Sequence, residues 1–275
     1  MNLSRHVWAA ALLVTGLAVV LPARAGGDPA ELDCAANARL FDSHFGRYGY
    51  LPQRSIIREA RGLRFWLPAQ TKGVSQTGLY SYFVLAGDFE VSATYELLAL
   101  PPPQGGYGVF LGIGAETEGP GGNVSLVRGH WPEQGSNYAL ICGRASAGGP
   151  LQYETTFFPT SSRSGRLLLR REKAEAVGLV ADGPGEPPRE LCRVPFTGGT
   201  VRSVRLFADP GGSPTALDAR LSGVVVRAEE ITGGVPKREA RGRGGWWLLG
   251  AAALAVVAAL SLLVARRKWR QARTS

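Results

Sequence analysis

Carboxylates set the first test of this 275-residue chain, because hydrolysis of a glycosidic bond needs two of them about 5 to 9.5 Å apart. Glu90 and Glu96 alternate onto one face of the run Phe89 to Leu97, but six residues at about 3.3 Å each put them roughly 20 Å apart. Glu116 and Glu118 have a workable spacing. They lead into Gly119-Pro120-Gly121-Gly122, where a solvated turn carboxylate is the ordinary outcome. Other chemistries lack their residues. Beyond the first 25 positions the histidines are His44 and His130, and neither a His-Glu-x-x-His helix nor a Gly-x-Ser-x-Gly elbow occurs. Gly112-Ile113-Gly114 has no third glycine at dinucleotide-loop spacing and reads as the end of a strand. No Cys-x-x-Cys exists to build a zinc ribbon or a redox pair. The sequence therefore assigns no catalytic residue, no metal ligand and no cofactor.

Candidates for binding are present. Arg128, His130, Trp131 and Glu133 cluster where a strand meets Pro132, and an aromatic face beside polar groups is a common way to hold a sugar ring. The competing role for Trp131, packing at the rim of a β domain, is the more ordinary one. Trp66 shares a strand face with Arg64 and lies opposite Phe65, so it could line a concave sheet. A second buried face is the stronger expectation for it. Trp66, Arg128, His130 and Trp131 are the candidate binding residues. Asn123-Val124-Ser125 also matches a glycosylation sequon, a pattern short enough to arise by chance.

These side chains need a scaffold, and the patterning from Phe41 to Ile231 is that of short strands broken by Gly, Pro and Asn, almost without helical periodicity. Leu63, Phe65 and Leu67 alternate with Arg64 and Trp66. Phe89, Val91, Ala93, Tyr95 and Leu97 alternate with Glu90, Ser92, Thr94 and Glu96. Gly87-Asp88 predicts a tight hairpin between Tyr80 to Leu85 and Phe89 to Leu97, and Pro101-Pro102-Pro103 ends the second strand. Further strands are predicted over Tyr107 to Ile113, Val124 to Val127, Tyr138 to Cys142, Gln152 to Phe158 and Leu167 to Arg171. Ala176 to Val180, Leu191 to Phe196, Val201 to Phe207 and Leu217 to Ala228 complete the set, with a bulge at Gly223. About a dozen strands imply an all-β, two-sheet antiparallel sandwich.

Four stretches carry a resemblance: Gly87-Asp88-Phe89-Glu90-Val91, Gly106-Tyr107-Gly108-Val109, Gly165-Arg166-Leu167-Leu168-Leu169-Arg170-Arg171 and Leu217-Asp218-Ala219-Arg220-Leu221. With them the chain resembles a bacterial exported domain of unknown function, family number 1583, over roughly Arg39 to Ile231. That family is similar to the concanavalin A-like lectin and glucanase sandwiches, so the resemblance implies a jelly roll of that kind. The Glu-x-Asp-x-Glu signature expected of the glucanases is absent, and the resemblance brings no catalytic residues. It implies a lectin-like domain that binds glycan or another cell-envelope component. A glycoside hydrolase with a different carboxylate pair and a scaffolding surface protein are the alternatives.

Both ends read as addresses. Arg5, the apolar run Val7 to Leu21, Pro22 and Ala23-Arg24-Ala25 have the layout of a secretory signal peptide, residues 1–25. Trp246 to Ala265 is uncharged and, at 1.5 Å per residue, about 30 Å long, which predicts a transmembrane helix. Basic residues flank it on both sides, four from Lys237 to Arg243 and five from Arg266 to Arg273. The signal peptide decides the orientation: ectodomain 26–232 and Gly/Arg-rich stalk 233–245 outside, tail 266–275 in the cytoplasm. The protein is expected in the cell membrane as a single-pass chain. Its formal charge of +9 collects at these ends, because Gly26 to Val235 holds 20 basic and 21 acidic residues, a net of −1. That distribution suits membrane topology and gives no support to nucleic-acid binding. Cys34, Cys142 and Cys192 allow one of three disulfides, or three buried free thiols.

Overall fold

Alternating apolar and polar residues become antiparallel strands in a computed structural model that describes residues 30–33, 38–69, 75–117, 122–145, 151–183 and 185–233. The elements run β1 (Ala30–Asp33), α1 (Ala38–His44), β2 (Phe45–Gly49), α2 (Pro52–Ser55), β3 (Ile56–Glu59), β4 (Gly62–Leu67), β5 (Thr77–Ser81), β6 (Phe83–Ala99) and β7 (Val109–Thr117). Then follow β8 (Asn123–Trp131), β9 (Gly135–Ala145), β10 (Leu151–Pro159), β11 (Ser164–Glu172), β12 (Glu175–Ala181), β13 (Arg189–Pro195), β14 (Val201–Asp209) and β15 (Leu217–Gly233). Of the nine strands from β7 onward, seven contain the whole predicted run, whereas β7 starts two residues after Tyr107 and β13 ends one residue before Phe196.

Pairing sorts the strands into two layers. One is β10-β9-β8-β7-β14-β5-β2; the other is β13-β12-β11-β6-β15-β4-β3, with β1 beside the far half of β15. They touch through hydrogen bonding where Val201 of β14 meets Leu85 of β6. Between the layers lies the main core, to which Val91, Tyr95, Leu111, Leu126, Leu169 and Val226 contribute side chains at 0% exposure. The inward set of β6 is the alternating set read from the sequence.

Gly87-Asp88 does not turn the chain. β6 runs straight through it, and the two residues bulge opposite the single residue Glu229, between the pairs Ala86↔Glu230 and Phe89↔Ala228. The dipeptide suits a hairpin or a bulge equally, and β15 decides because it is long enough to pair with both halves of β6. Buried Arg171 donates to the Gly87 carbonyl and to the Thr197 carbonyl at 3.3 Å, while the Lys173 N–H donates to Asp88 Oδ1 at 2.6 Å. The bulge at Gly223 forms as expected, with φ +56° and a register shift between Ser222 and Val225.

Gly112-Ile113-Gly114 lies in the middle of β7, not at a strand end. A Cβ on Gly112 would sit 2.4 Å from Val127 Cγ1, so the glycine is there to seat its neighbour. Cys142 is a buried free thiol and Cys192 a half-buried one. Cys34, Glu118, the signal segment, the stalk beyond Gly233, the span Trp246 to Ala265 and the tail lie outside the described residues. Among the described residues no helix is long and apolar enough to cross a membrane.

Candidate functional site

Strand periodicity separates the residues that the sequence places together. On β8, Arg128 and His130 point inward between the layers, whereas Trp131 points to the opposite face. Arg128 is 2% exposed and its donors are committed: Nε to the Ser162 carbonyl at 3.0 Å, Nη1 to the Gly129 carbonyl at 2.6 Å, and Nη2 to Ser136 Oγ at 2.7 Å. Its guanidinium lies 5.8 Å from the Tyr138 ring centre, and the Tyr138 hydroxyl donates to Asp182 Oδ1 at 2.9 Å. Burial holds Arg128 below the usual guanidinium pKa. It is an interior strut, not a ligand-facing group.

His130 is half-buried and lines a separate cleft of about 680 Å³ with Leu97, Ser161 and Arg163. Burial, then the Arg128 charge, holds its imidazole below the ordinary histidine pKa, so it is neutral at pH 7. Glu133 is exposed in the turn after β8. Trp66 meets none of these residues. It is 44% exposed on the outer face of β4, so the expected second buried face is overturned. Trp66 stands exposed on that face. Ion pairs cover it, and Arg64 beside Trp66 donates to Asp218 at 2.6 and 2.7 Å.

Trp131 leads to a site that the sequence did not reveal. Its indole is 4% exposed, stacks on Phe110 with ring centres 5.7 Å apart at 10°, and meets Phe157 edge-on at 5.0 Å. With Val127, Ala139 and Phe207 these rings form a second apolar cluster on the outer side of the β10-to-β2 layer, away from the main core. The cluster floors a groove of about 700 Å³. Tyr107 and Tyr153, 61% and 62% exposed, stand on the groove, and Gln76, Ser125, Gln134 and Thr155 add polar groups. Glycines permit the floor: at Gly108, φ +135°, a Cβ would come within 2.5 Å of Trp131 Cδ1, and one at Gly129 within 2.5 Å of Phe110 Cβ.

Asp209 anchors one end. Its Oδ1 accepts the Gly211 N–H at 2.8 Å, and its Oδ2 accepts the Tyr107 hydroxyl at 3.0 Å and Gln76 Nε2 at 3.4 Å. Burial pushes its carboxyl above the ordinary range against those hydrogen bonds. The Tyr107 N–H donates to the Gly211 carbonyl at 2.9 Å, so the tyrosine is held at both backbone and ring. Asp209 is the only carboxylate lining the groove among the described residues. Glu116, the other acid on this face, sits opposite Ser203 while Asp209 sits opposite Phe110, six positions or roughly 20 Å along the ladder. It is paired with Arg202 at 2.5 Å. The arrangement can hold flat, polar-edged rings, and among the described residues the two neighbouring carboxylates of a glycosidase do not occur in it. Glu90 and Glu96 lie on the other layer, held by Arg170 and Arg220 respectively. Among the described residues no three His, Cys, Asp or Glu side chains cluster as a metal set would.

A signal for the groove exists in the sequence. Val109 to Ala115 is a continuous apolar run, which is what a strand covered on both faces looks like. Phe110, Trp131, Phe157 and Phe207 each fall on the face that the core does not use.

Fold and site together define an all-β antiparallel protein with an aromatic-floored groove on one outer face. The chain belongs to the family described as protein of unknown function (DUF1583), C domain, which it matches over residues 36–241. No curated protein matches it in sequence. Similar solved structures include an immunostimulatory antigen and pseudo β-1,3-glucanase of Mycobacterium tuberculosis, 12% identical with a TM-score of 0.47, covering 69% of this chain and 91% of that one. A glycosyl hydrolase family protein of Mycobacterium fortuitum is 14% identical, TM-score 0.46, covering 66% and 79%. A legume lectin-like domain of Entamoeba histolytica is 8% identical, TM-score 0.46, covering 71% and 92%. These relatives are concanavalin A-like sandwiches, and at such scores the likeness says nothing of ligand or reaction.

Proposed function

We propose that the chain is an exported, membrane-anchored, lectin-like domain whose aromatic groove binds glycan or another cell-envelope component without cleaving it. The observation that carries this reading is the second apolar cluster, with Trp131 stacked on Phe110 beneath exposed Tyr107 and Tyr153. The cluster is a packed floor, and the aromatic area left uncovered above it is that of Tyr107 and Tyr153, whose rings, with the amide and hydroxyl groups at the groove edge, suit the apolar faces and hydroxyls of sugars. Export and anchoring rest on the signal layout of residues 1–25 and the uncharged run Trp246 to Ala265.

One observation favours the hydrolase alternative: Asp209 is a buried carboxyl of raised pKa, the character of a general acid. Among the described residues no second carboxylate lines the groove beside it, and the binding reading rests on the aromatic residues instead. A glycan array probed with the full-length chain and with Trp131→Ala tests the reading. The expected result is retention of one glycan class, lost in the variant. Retention of no glycan leaves the scaffolding alternative. Protease added to intact cells is expected to digest residues 26–245, and protection of that segment overturns the topology.

A further inference from the structure

Arg205 is the cationic side chain of the groove among the described residues, and it differs from the ion-paired outward arginines in having no carboxylate partner and from exposed Arg166 in being half-buried. Arg64, Arg170, Arg220 and Arg227 on the opposite layer each have a carboxylate within 4 Å. Arg205 has none among the described residues. Its guanidinium lies over the Tyr48 ring at 4.9 Å and the Phe207 ring at 5.6 Å. Nε and Nη2 donate to the Tyr48 hydroxyl at 3.1 and 2.7 Å, and Nη2 also donates to Gln76 Oε1. These contacts fix the plane of the fork, while Nη1 donates to no described residue.

The neighbouring acids are committed elsewhere. Asp209 is four residues further along β14, roughly 13 Å at 3.3 Å per residue; it feels the Arg205 charge and shares Gln76 with it but is not ion-paired to it, its oxygens being taken by Gly211, Tyr107 and Gln76. Glu116 is held by Arg202. A pre-oriented, half-buried guanidinium with an unused arm, beside aromatic rings that would hold a sugar, is the complement of an anion on that sugar. A neutral hydroxyl would leave the positive charge unanswered.

We infer that Arg205 makes the groove selective for glycans that carry an anionic substituent, a uronate carboxylate or a sulfate ester, an inference that rests on the groove being the glycan site. The carboxylate or sulfate oxygen accepts from Nη1 while its ring lies against the aromatic floor, and the charge-assisted contact sets the preference.

The test is a titration of the full-length chain with oligogalacturonate and with a sulfated galactan oligosaccharide. Each is compared with its carboxyl-reduced or desulfated counterpart. At least one anionic form is expected to bind about tenfold tighter than its neutral counterpart, with the gap narrowing at high salt. Whether the carboxylate or the sulfate shows the gap tells the two sources apart, and either supports the inference. Arg205→Gln is expected to close the gap between charged and neutral forms, with Arg205→Lys, which keeps the charge but not the planar fork, falling between. Equal binding of charged and neutral forms, or a preference that survives Arg205→Gln, overturns the inference; if that binding is lost in Trp131→Ala, the glycan reading still stands. Binding of none of the four probes overturns the inference, and the glycan array then decides the reading on which it rests.

Discussion

The two outer faces of the molecule are built from the same kind of strand and finish in opposite ways. On the β13-to-β3 layer, outward charges answer one another across strands: Glu90 meets Arg170 at 2.8 Å, Arg220 meets Glu59 at 2.7 Å, and Arg193 meets Glu172, Glu175 and Glu190 at 3.0 to 3.2 Å. On the β10-to-β2 layer, the outer side holds a stacked aromatic cluster, the exposed tyrosines Tyr80, Tyr107 and Tyr153, and an arginine with an arm that donates to no described residue. The first face is satisfied by itself and offers a partner little beyond exposed Trp66. The second leaves exposed tyrosine rings and a charge-bearing donor without a counterpart among the described residues, which is the condition for a binding surface. Exposure of a tryptophan is therefore a poor guide here. Trp66 is exposed on the self-satisfied face, while nearly buried Trp131 builds the groove.

The comparison can be broken first at Trp131. Trp131→Ala removes the centre of the outer cluster, and we expect a loss of about 3 to 5 kcal/mol in chemical denaturation. A loss below about 1 kcal/mol would mean that the groove floor is not a packed element. Arg128→Met separates interior from surface: it strands the carbonyls of Ser162, Gly129 and Asn137 and is expected to cost about 2 to 3 kcal/mol. An unchanged melting temperature would return Arg128 to the ligand-facing role that its sequence position suggests.

Asp209→Asn reads the electrostatics of the groove. Burial raises the folded pKa of Asp209 above its unfolded value of about 3.9, so its favourable contribution is complete below that value and is lost as pH rises through the folded one. Wild type should therefore lose stability relative to the variant as pH rises from acid to neutral, measured as the difference between their thermal unfolding curves. A difference that moves the other way would place an ion pair at Asp209. A smaller effect is expected on the self-satisfied face, where Arg220→Met should cost less than about 1 kcal/mol and leave glycan binding unchanged.

Much of the scaffold was legible because one face of each strand must be apolar. The alternation of Phe89 to Leu97 is the buried set of β6, and Gly223 marks a true bulge. Gly87-Asp88 misled because local turn chemistry cannot report the length of a partner strand. β1, β2 and β3 escaped notice because runs of four or five residues hold too few alternations to stand out. The site was less legible. Arg128, His130 and Trp131 are close in sequence, but period-two geometry sends Trp131 to the opposite side of the sheet from the other two. The groove draws Phe110, Trp131, Phe157 and Phe207 from four strands whose neighbourhood only the layer order β10-β9-β8-β7-β14 creates.

The central claim is that binding belongs to the aromatic face and not to the ion-paired one. Tyr153 and Trp66 give the cleanest contrast, since both are exposed and neither truncation should change stability by more than about 0.5 kcal/mol. The affinity of an array-selected glycan should be measured for Tyr153→Ala and Trp66→Ala side by side. The account predicts a fall of about 3- to 10-fold for Tyr153→Ala, the size of a lost aromatic contact, and none for Trp66→Ala. A loss confined to Trp66→Ala would contradict it.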